Sequence, residues 1–318
     1  MRVLIVLDRV ARGLIAWAVV TTAASSQPLA LSTICDDCKP VRYATCGKGG
    51  TLLEGPSFDK DGSLWLVALV SGRIHKVTPD GQCSVVSTIG GAPNGARQDS
   101  AGNLVIADKD RNLLTYNMRS GQATVRRNKH GRETLRGLND LVIDKAGGIY
   151  FTEPYGSHAL KPNGRVFYLP PGSSDTDGGA MTVLGEGFAF PNGIALSPDE
   201  TRLYVGDYAT NRVFSLQLSA PGVLHPMGVP YVFASLTGGF GPDGMTVDSQ
   251  GNLYVAHYRA GEVLVYNYNG FPYGSIRLPE DAGLGTTNVI LRDGHLYIID
   301  GTKDEVWRVK TKVPGLAQ

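Results

Sequence analysis

The sequence predicts an all-β protein, a six-bladed β-propeller with a central channel over residues 50–318, and three observations carry that prediction. The first is an internal repeat. Six segments share one pattern: EGPSFDKDGSLWLVAL from Glu54, NGARQDSAGNLVIAD from Asn94, NDLVIDKAGGIYFTE from Asn139, NGIALSPDETRLYVGD from Asn192, DGMTVDSQGNLYVAH from Asp243 and TNVILRDGHLYIID from Thr287. Each reads as a short strand, a D-x-x-G-like turn and a returning strand rich in Leu, Tyr and Val. The second observation is the period: the starts lie about forty to fifty residues apart, and most intervals hold further strand-like runs such as GRIHKVTP, NRVFSLQL and GEVLVYNYN. Four strands per unit at that spacing describe a propeller blade. The third is composition. Glycine makes up 41 of 318 residues, well above the usual share of about 7%, and it falls between short apolar runs, as many hairpins require.

From the N-terminus onward, MRVLIVLDRVAR carries arginines, GLIAWAVVTTAA is apolar, and Ala23, Ala24, Ser25 and Ser26 are small enough for a cleavage site. Residues 1–26 are therefore expected to be a signal peptide, and the mature protein to be secreted or periplasmic. Asp8 and the apolar VLIVL before it suit an n-region poorly, which leaves a misassigned start or a short N-terminal helix as the other reading. No later stretch approaches the roughly eighteen apolar residues of a membrane span, so no membrane attachment is expected after signal removal. Residues 27–49 form an N-terminal segment with Cys35, Cys38 and Cys46, and Cys83 follows in the first repeat. In an exported protein these read as one or two disulfides tying that segment to the first repeat, with the pairing open. A zinc site on Cys35-x-x-Cys38 lacks a second ligand pair at a suitable distance. VRYATC, residues 41–46, is expected to add the outer strand of the last blade, since an open edge would otherwise face its neighbour. Lys plus Arg at 30 nearly cancels Asp plus Glu at 29, and no basic stripe is interleaved with aromatics, so nucleic acid is not expected as a partner. A monomer and a homodimer both remain compatible with the sequence.

Aligning the repeats on their turns, five residues before the turn Asp or its counterpart, gives one column: Glu54, Asn94, Asn139, Asn192, Asp243 and Thr287. In a propeller the first strand of each blade lines the channel, so these side-chain oxygens should converge at one face. Two carboxylates and three amides around an empty hole would be poorly solvated and mutually repelling, whereas a hard cation makes them ligands. Oxygen-only donors point to calcium first, with magnesium, manganese or zinc as alternatives. Asn and Asp also enter strands through simple Asx-turns, but turn chemistry gives no reason for Glu54. A second column closes the returning strands: Leu69, Asp108, Glu153, Asp207, His257 and Asp300. It lies on the same face and could supply supporting hydrogen bonds, a second metal position or a proton acceptor; His257 stands out because histidine is the side-chain type that titrates nearest neutral pH, although a structural role is the favoured reading for it. Arg97 and Gln98 stand where other blades have apolar residues, so Arg97 is a candidate for orienting an anionic or hydroxylated substrate. Arg136, on the loop before Asn139, is another.

The motifs then resemble a known family. Glu54-Gly55-Pro56, Leu138-Asn139-Asp140 followed by YFTEP, Pro191-Asn192-Gly193 followed by SPDETRLYVGD, and Pro242-Asp243-Gly244 followed by YVAHY look like the gluconolactonase and senescence marker protein (regucalcin) family, and are similar also to diisopropyl fluorophosphatase. The likeness covers roughly residues 50–310. It implies a propeller with a divalent cation, usually calcium, held by Glu54, Asn139, Asn192 and Asp243. It further implies a small-molecule lactone or ester substrate, with Asp243 as general base on water and the metal polarising the carbonyl. A phosphotriesterase activity and a non-catalytic ligand-binding propeller with a structural calcium are the alternatives; a strictosidine synthase-like reading needs a carboxylate without a metal and fits the full column less well. Two departures stand out: the regucalcin-like arginine two residues before the third-blade asparagine is Gly137 here, and Glu153 replaces the Asp of many relatives.

Overall fold

The repeat unit explains the local structure. In each of the clearest units the turn carboxylate folds back onto the hairpin it starts: Asp248 accepts the Gln250 and Asn252 amides, both at 2.9 Å, and Asp59 accepts the Asp61 and Ser63 amides at 3.0 and 2.9 Å. These Asx-type turns reverse the chain between the first two strands of a blade. The computed structural model describes residues 30–110, 112–173 and 181–316. The expected signal peptide falls outside the described residues.

Six antiparallel sheets follow one another in sequence. Their innermost strands are Leu53–Phe58, Pro93–Gln98, Leu141–Ile143, Pro191–Leu196, Gly241–Val247 and Thr286–Arg292. Each packs against the innermost strands of the sheets before and after it, and the sixth against the first, so the chain is a closed six-bladed propeller. The sixth sheet is completed from the other end of the chain, where Val41–Thr45 pairs antiparallel with Glu305–Lys310. Cys46, at the end of that closing strand, is bonded to Cys83 at the start of the outer strand of the first blade. Cys35 and Cys38 form the other disulfide. A short hairpin, Lys129–His130 with Glu133–Thr134, precedes the third blade.

The core is divided into six wedges, each filled by side chains of two adjacent blades. The wedge between the first and second blades, for instance, joins Trp65, Val67 and Ile74 to Ile106, Leu114 and Tyr116. Strands buried on both faces read as nearly continuous apolar runs such as LWLVA and LYVA, which is why the returning strands carried the repeat signal.

Candidate active site

Five of the six innermost strands carry a β-bulge where the predicted oxygen column sits, with the pairing register shifting between Glu54 and Ser57, Pro93 and Ala96, Pro191 and Ile194, Pro242 and Met245, and Thr286 and Asn288. A bulge re-aims one side chain out of the sheet plane. Glu54, Asn94, Asn139, Asn192, Asp243 and Thr287 are all buried. The residue after each is glycine in four blades, and the fit there is tight: a Cβ on Gly193 would lie 2.0 Å from the Asp243 carbonyl oxygen. In the other two blades that next residue is Asp140 or Asn288. Each occupies the space left by a neighbouring glycine, Asp140 against Gly95 and Asn288 against Gly244.

The resulting cluster is short of positive charge. Burial, and after it the negative charge of Asp140, pushes the Glu54 carboxyl up to about 8. Burial, then Glu54 and Asp140, raises Asp243 well above the usual carboxylate range, against a smaller opposing effect of the adjacent Asn192 amide. Glu54 Oε2 accepts the Asn288 side-chain amide at 3.2 Å. Asn192 Oδ1 and Asp140 Oδ2 are buried with no hydrogen-bond donor. Tyr155 is directed at the amides of Asn94 and Asn139; burial, then the charges of Glu54 and Asp243, raise its phenol to about 12 against the opposing effect of those amides. Clustered buried carboxylates and an unpaired amide oxygen, all oxygen donors, fit a hard divalent cation. Glu54, Asn139, Asn192 and Asp243 are the residues that could hold it. Among the described residues, another grouping of metal-ligand atoms, Cys46, His75 and Cys83 within 4.8 Å of one another, offers no thiolate because its two sulfurs are joined.

The remaining predicted residues take other places. Thr287 Oγ1 donates to the Leu53 carbonyl at 2.8 Å, tying the last innermost strand to the first. Arg97 is half-buried, donates to the Pro56 and Ala96 carbonyls at 2.9 and 2.8 Å, and stays within electrostatic reach of Asp140 and Glu54. The second column turns to the approach loops. Asp207 accepts the Ala189 and Phe190 amides at 3.2 and 2.6 Å, just before Asn192. Glu153 accepts the Arg136 amide at 2.7 Å, just before Asn139, and His257 Nε2 lies 3.0 Å from the Gly238 carbonyl, ahead of Asp243. Asp108 and Asp300 meet the Ala92 and Gly283 amides in the same way. These side chains position the ring through the backbone. Arg136, expected as a substrate contact, is held by Glu153 and the Asn163 carbonyl beside a shallow surface groove lined by Glu133 and Arg165.

Sequence reading missed Asp140, Asn288 and Tyr155. The first two had a signal, being the only non-glycines in the column that follows the ring; Tyr155 had none, since its phenol reaches the ring from a loop outside the repeat.

A six-bladed ring with an acidic, amide-rich centre at one end defines a class of channel-site propellers. The chain belongs to the SMP-30/Gluconolactonase/LRE-like family, whose model matches residues 52–300. It is 36% identical over 269 residues to Lactonase drp35 of Staphylococcus haemolyticus, covering 80% of this chain and 76% of that one. Lactonase drp35 of Staphylococcus aureus strain USA300 is 33% identical, with 80% and 77% covered. Among solved structures, a gluconolactonase of Xanthomonas campestris shares the fold at a TM-score of 0.74 with 24% identity, covering 88% of this chain and 92% of that one. A calcium-binding regucalcin of Agrobacterium tumefaciens does so at 0.68 with 21% identity, covering 86% and 96%.

Proposed function

We propose that this protein is an exported, divalent-cation-dependent hydrolase of small lactones, with Glu54, Asn139, Asn192 and Asp243 holding the cation and Asp243 acting as general base. The observation that carries the reading is the burial of Glu54 and Asp243 in one cluster beside an Asn192 oxygen without a donor. Kinship with the staphylococcal lactonases, named for that activity, supports the substrate class. The regucalcin neighbour, described as calcium-binding, supports calcium as the cation. Two disulfides suit an oxidising compartment, which agrees with export.

When bound, the cation would polarise the ester carbonyl and offset the charge that builds on its oxygen. The chain's own residues do the rest. Asp243 takes a proton from the attacking water, whose oxygen bonds to the carbonyl carbon; the ring C–O bond then breaks, and the proton returns to the departing alkoxide to give the hydroxy acid. Asn192 lies beside the Asp243 carboxylate and helps fix its orientation. Burial keeps the reacting face out of bulk water.

The test is a panel of lactones, linear esters and phosphotriesters, run with and without chelator on the natural protein and on Asp243→Asn. Chelator-sensitive lactone turnover that vanishes in the variant is expected. Undiminished turnover in Asp243→Asn would remove the assigned base, and a chelator-induced fall in melting temperature with no turnover on any substrate would favour a ligand-binding propeller with a structural calcium.

A further inference from the structure

An unbroken arc of aromatic rings borders the ring of oxygens. Tyr155 and Phe190 have centroids 5.8 Å apart, Phe190 and Tyr208 5.7 Å, Tyr208 and Tyr258 6.3 Å, and Tyr258 and Phe240 6.3 Å. All five stand at the end of their blades where the innermost strands begin. Phe190 directly precedes Pro191–Leu196 and Phe240 directly precedes Gly241–Val247, while Tyr208 and Tyr258 end or follow the returning strands of the same blades. The backbone repeats the arrangement: the Tyr208 amide donates to the Phe190 carbonyl at 2.9 Å, and the Phe240 amide to the Tyr258 carbonyl at 2.8 Å. Tyr155 faces Glu54, Asp243, Asn94 and Asn139, and Tyr208 is within electrostatic reach of Asp243. The arc is therefore continuous with the site. Phe240, at its far end, is 61% exposed. Lys109 caps the Tyr155 end at 5.2 Å, and Arg259 caps the Phe240 end at 6.0 Å.

The arginine on the approach to the site is engaged elsewhere than with a hydroxylated substrate. Arg136 is held by Glu153. Gly137, with φ of +118°, has no room for any side chain, because a Cβ there would meet the Lys109 carbonyl oxygen at 2.4 Å and Tyr155 Cδ2 at 3.0 Å. The Tyr155 ring occupies that side of the mouth.

We infer that this aromatic arc is the wall that holds the part of the substrate beyond the scissile ester, and that it selects lactones carrying an aryl or alkyl substituent over polyhydroxylated ones. The inference rests on the hydrolase reading for the position of the ester. The physical basis is face and edge contact between a flat or apolar substituent and rings already fixed in place, so little freedom is lost on binding. A polyhydroxylated ring would instead strip water from its hydroxyls against ring faces that cannot donate, with donors only at the tyrosine hydroxyls and at the Lys109 and Arg259 ends of the arc.

The test compares γ-phenyl-γ-butyrolactone, unsubstituted γ-butyrolactone and glucono-δ-lactone. The phenyl lactone should exceed the unsubstituted one by about tenfold in kcat/KM, mostly through KM, as expected for one aromatic contact. Phe190→Ala and Phe240→Ala should each lower that ratio several-fold by raising the KM of the phenyl lactone. Phe271→Ala, in the turn between outer strands at the opposite end of the fifth blade, should leave the ratio alone. Binding of the uncleavable γ-phenyl γ-lactam to Asp243→Asn, followed calorimetrically against the unsubstituted γ-lactam, separates the two readings. Preferential binding of the phenyl lactam without turnover of any lactone by the natural protein would sink the hydrolase reading and keep the arc. Equal binding of the two lactams, or a preference for glucono-δ-lactone, or a ratio untouched by both arc substitutions, would overturn the arc.

Discussion

Glu54 and Asp243 are the residues on which the chemistry depends, since each is buried and burial together with neighbouring carboxylates, Asp140 for Glu54 and Glu54 with Asp140 for Asp243, raises the proton affinity of both. Asp243→Asn keeps the shape but removes the base, so lactone turnover should fall by roughly 10²–10⁴, with circular dichroism and the unfolding midpoint little changed. Loss of the fold along with the activity would show that Asp243 is structural. Gly193 tests the packing that brings the ring together. Gly193→Ala places a methyl 2.0 Å from the Asp243 carbonyl oxygen, a clash with backbone that no rotamer relieves, and should cost about 1–3 kcal/mol of stability in a denaturant titration. An unchanged midpoint would mean that the innermost strands are not so closely apposed. The ring members were legible because each is an oxygen-bearing residue at one offset from a repeated turn; Tyr155 was not, because nothing in a single loop tyrosine says which way its ring points.

At the scale of the element, the second column shows what sequence spacing conveys and what it omits. Its offset from the first column was visible, and so was its place at the same end of the blades. Its direction was not: a residue at the end of a strand can point to the channel or to the neighbouring loop, and here the amides of Phe190, Arg136 and Gly283 draw Asp207, Glu153 and Asp300 toward the loops. Glu153 also gathers Arg136 and Arg165 at 2.7 and 2.6 Å. Glu153→Gln leaves Arg136 without a carboxylate partner among the described residues and Arg165 with only Glu133, and about 3–5 kcal/mol should be lost, the scale for breaking a buried ion pair from one side. The same variant should weaken activity less than Asp243→Asn, since its effect reaches Asn139 only through the loop. A second element-level test concerns closure. The Cys46–Cys83 bond spans 37 residues and joins the closing strand to the first blade. Replacing both cysteines by serine should lower stability by about 2–4 kcal/mol, measured as a shift in the thermal midpoint; no shift would mean that the pairing of Val41–Thr45 alone secures the ring.

On the scale of the whole molecule, the closed ring forces like charges to one axial point, and that has a pH signature in metal-free protein. Glu54 releases its proton near the ordinary 4.5 when unfolded but only at about 8 when folded. Between those values the folded state binds more protons, so stability falls as pH rises across the window and is greatest at its acid end. Thermal midpoints of chelator-treated protein should therefore drop from about pH 5 to about pH 8, and added calcium should raise the midpoint more at the upper value. Calcium titration of chelator-stripped protein by calorimetry, on the natural chain and on Glu54→Gln and Asp243→Asn, tests the cation site most directly. Saturable binding at the natural site, weakened at least tenfold by each substitution, is expected; no binding to the natural protein, or binding that both substitutions leave intact, would contradict it.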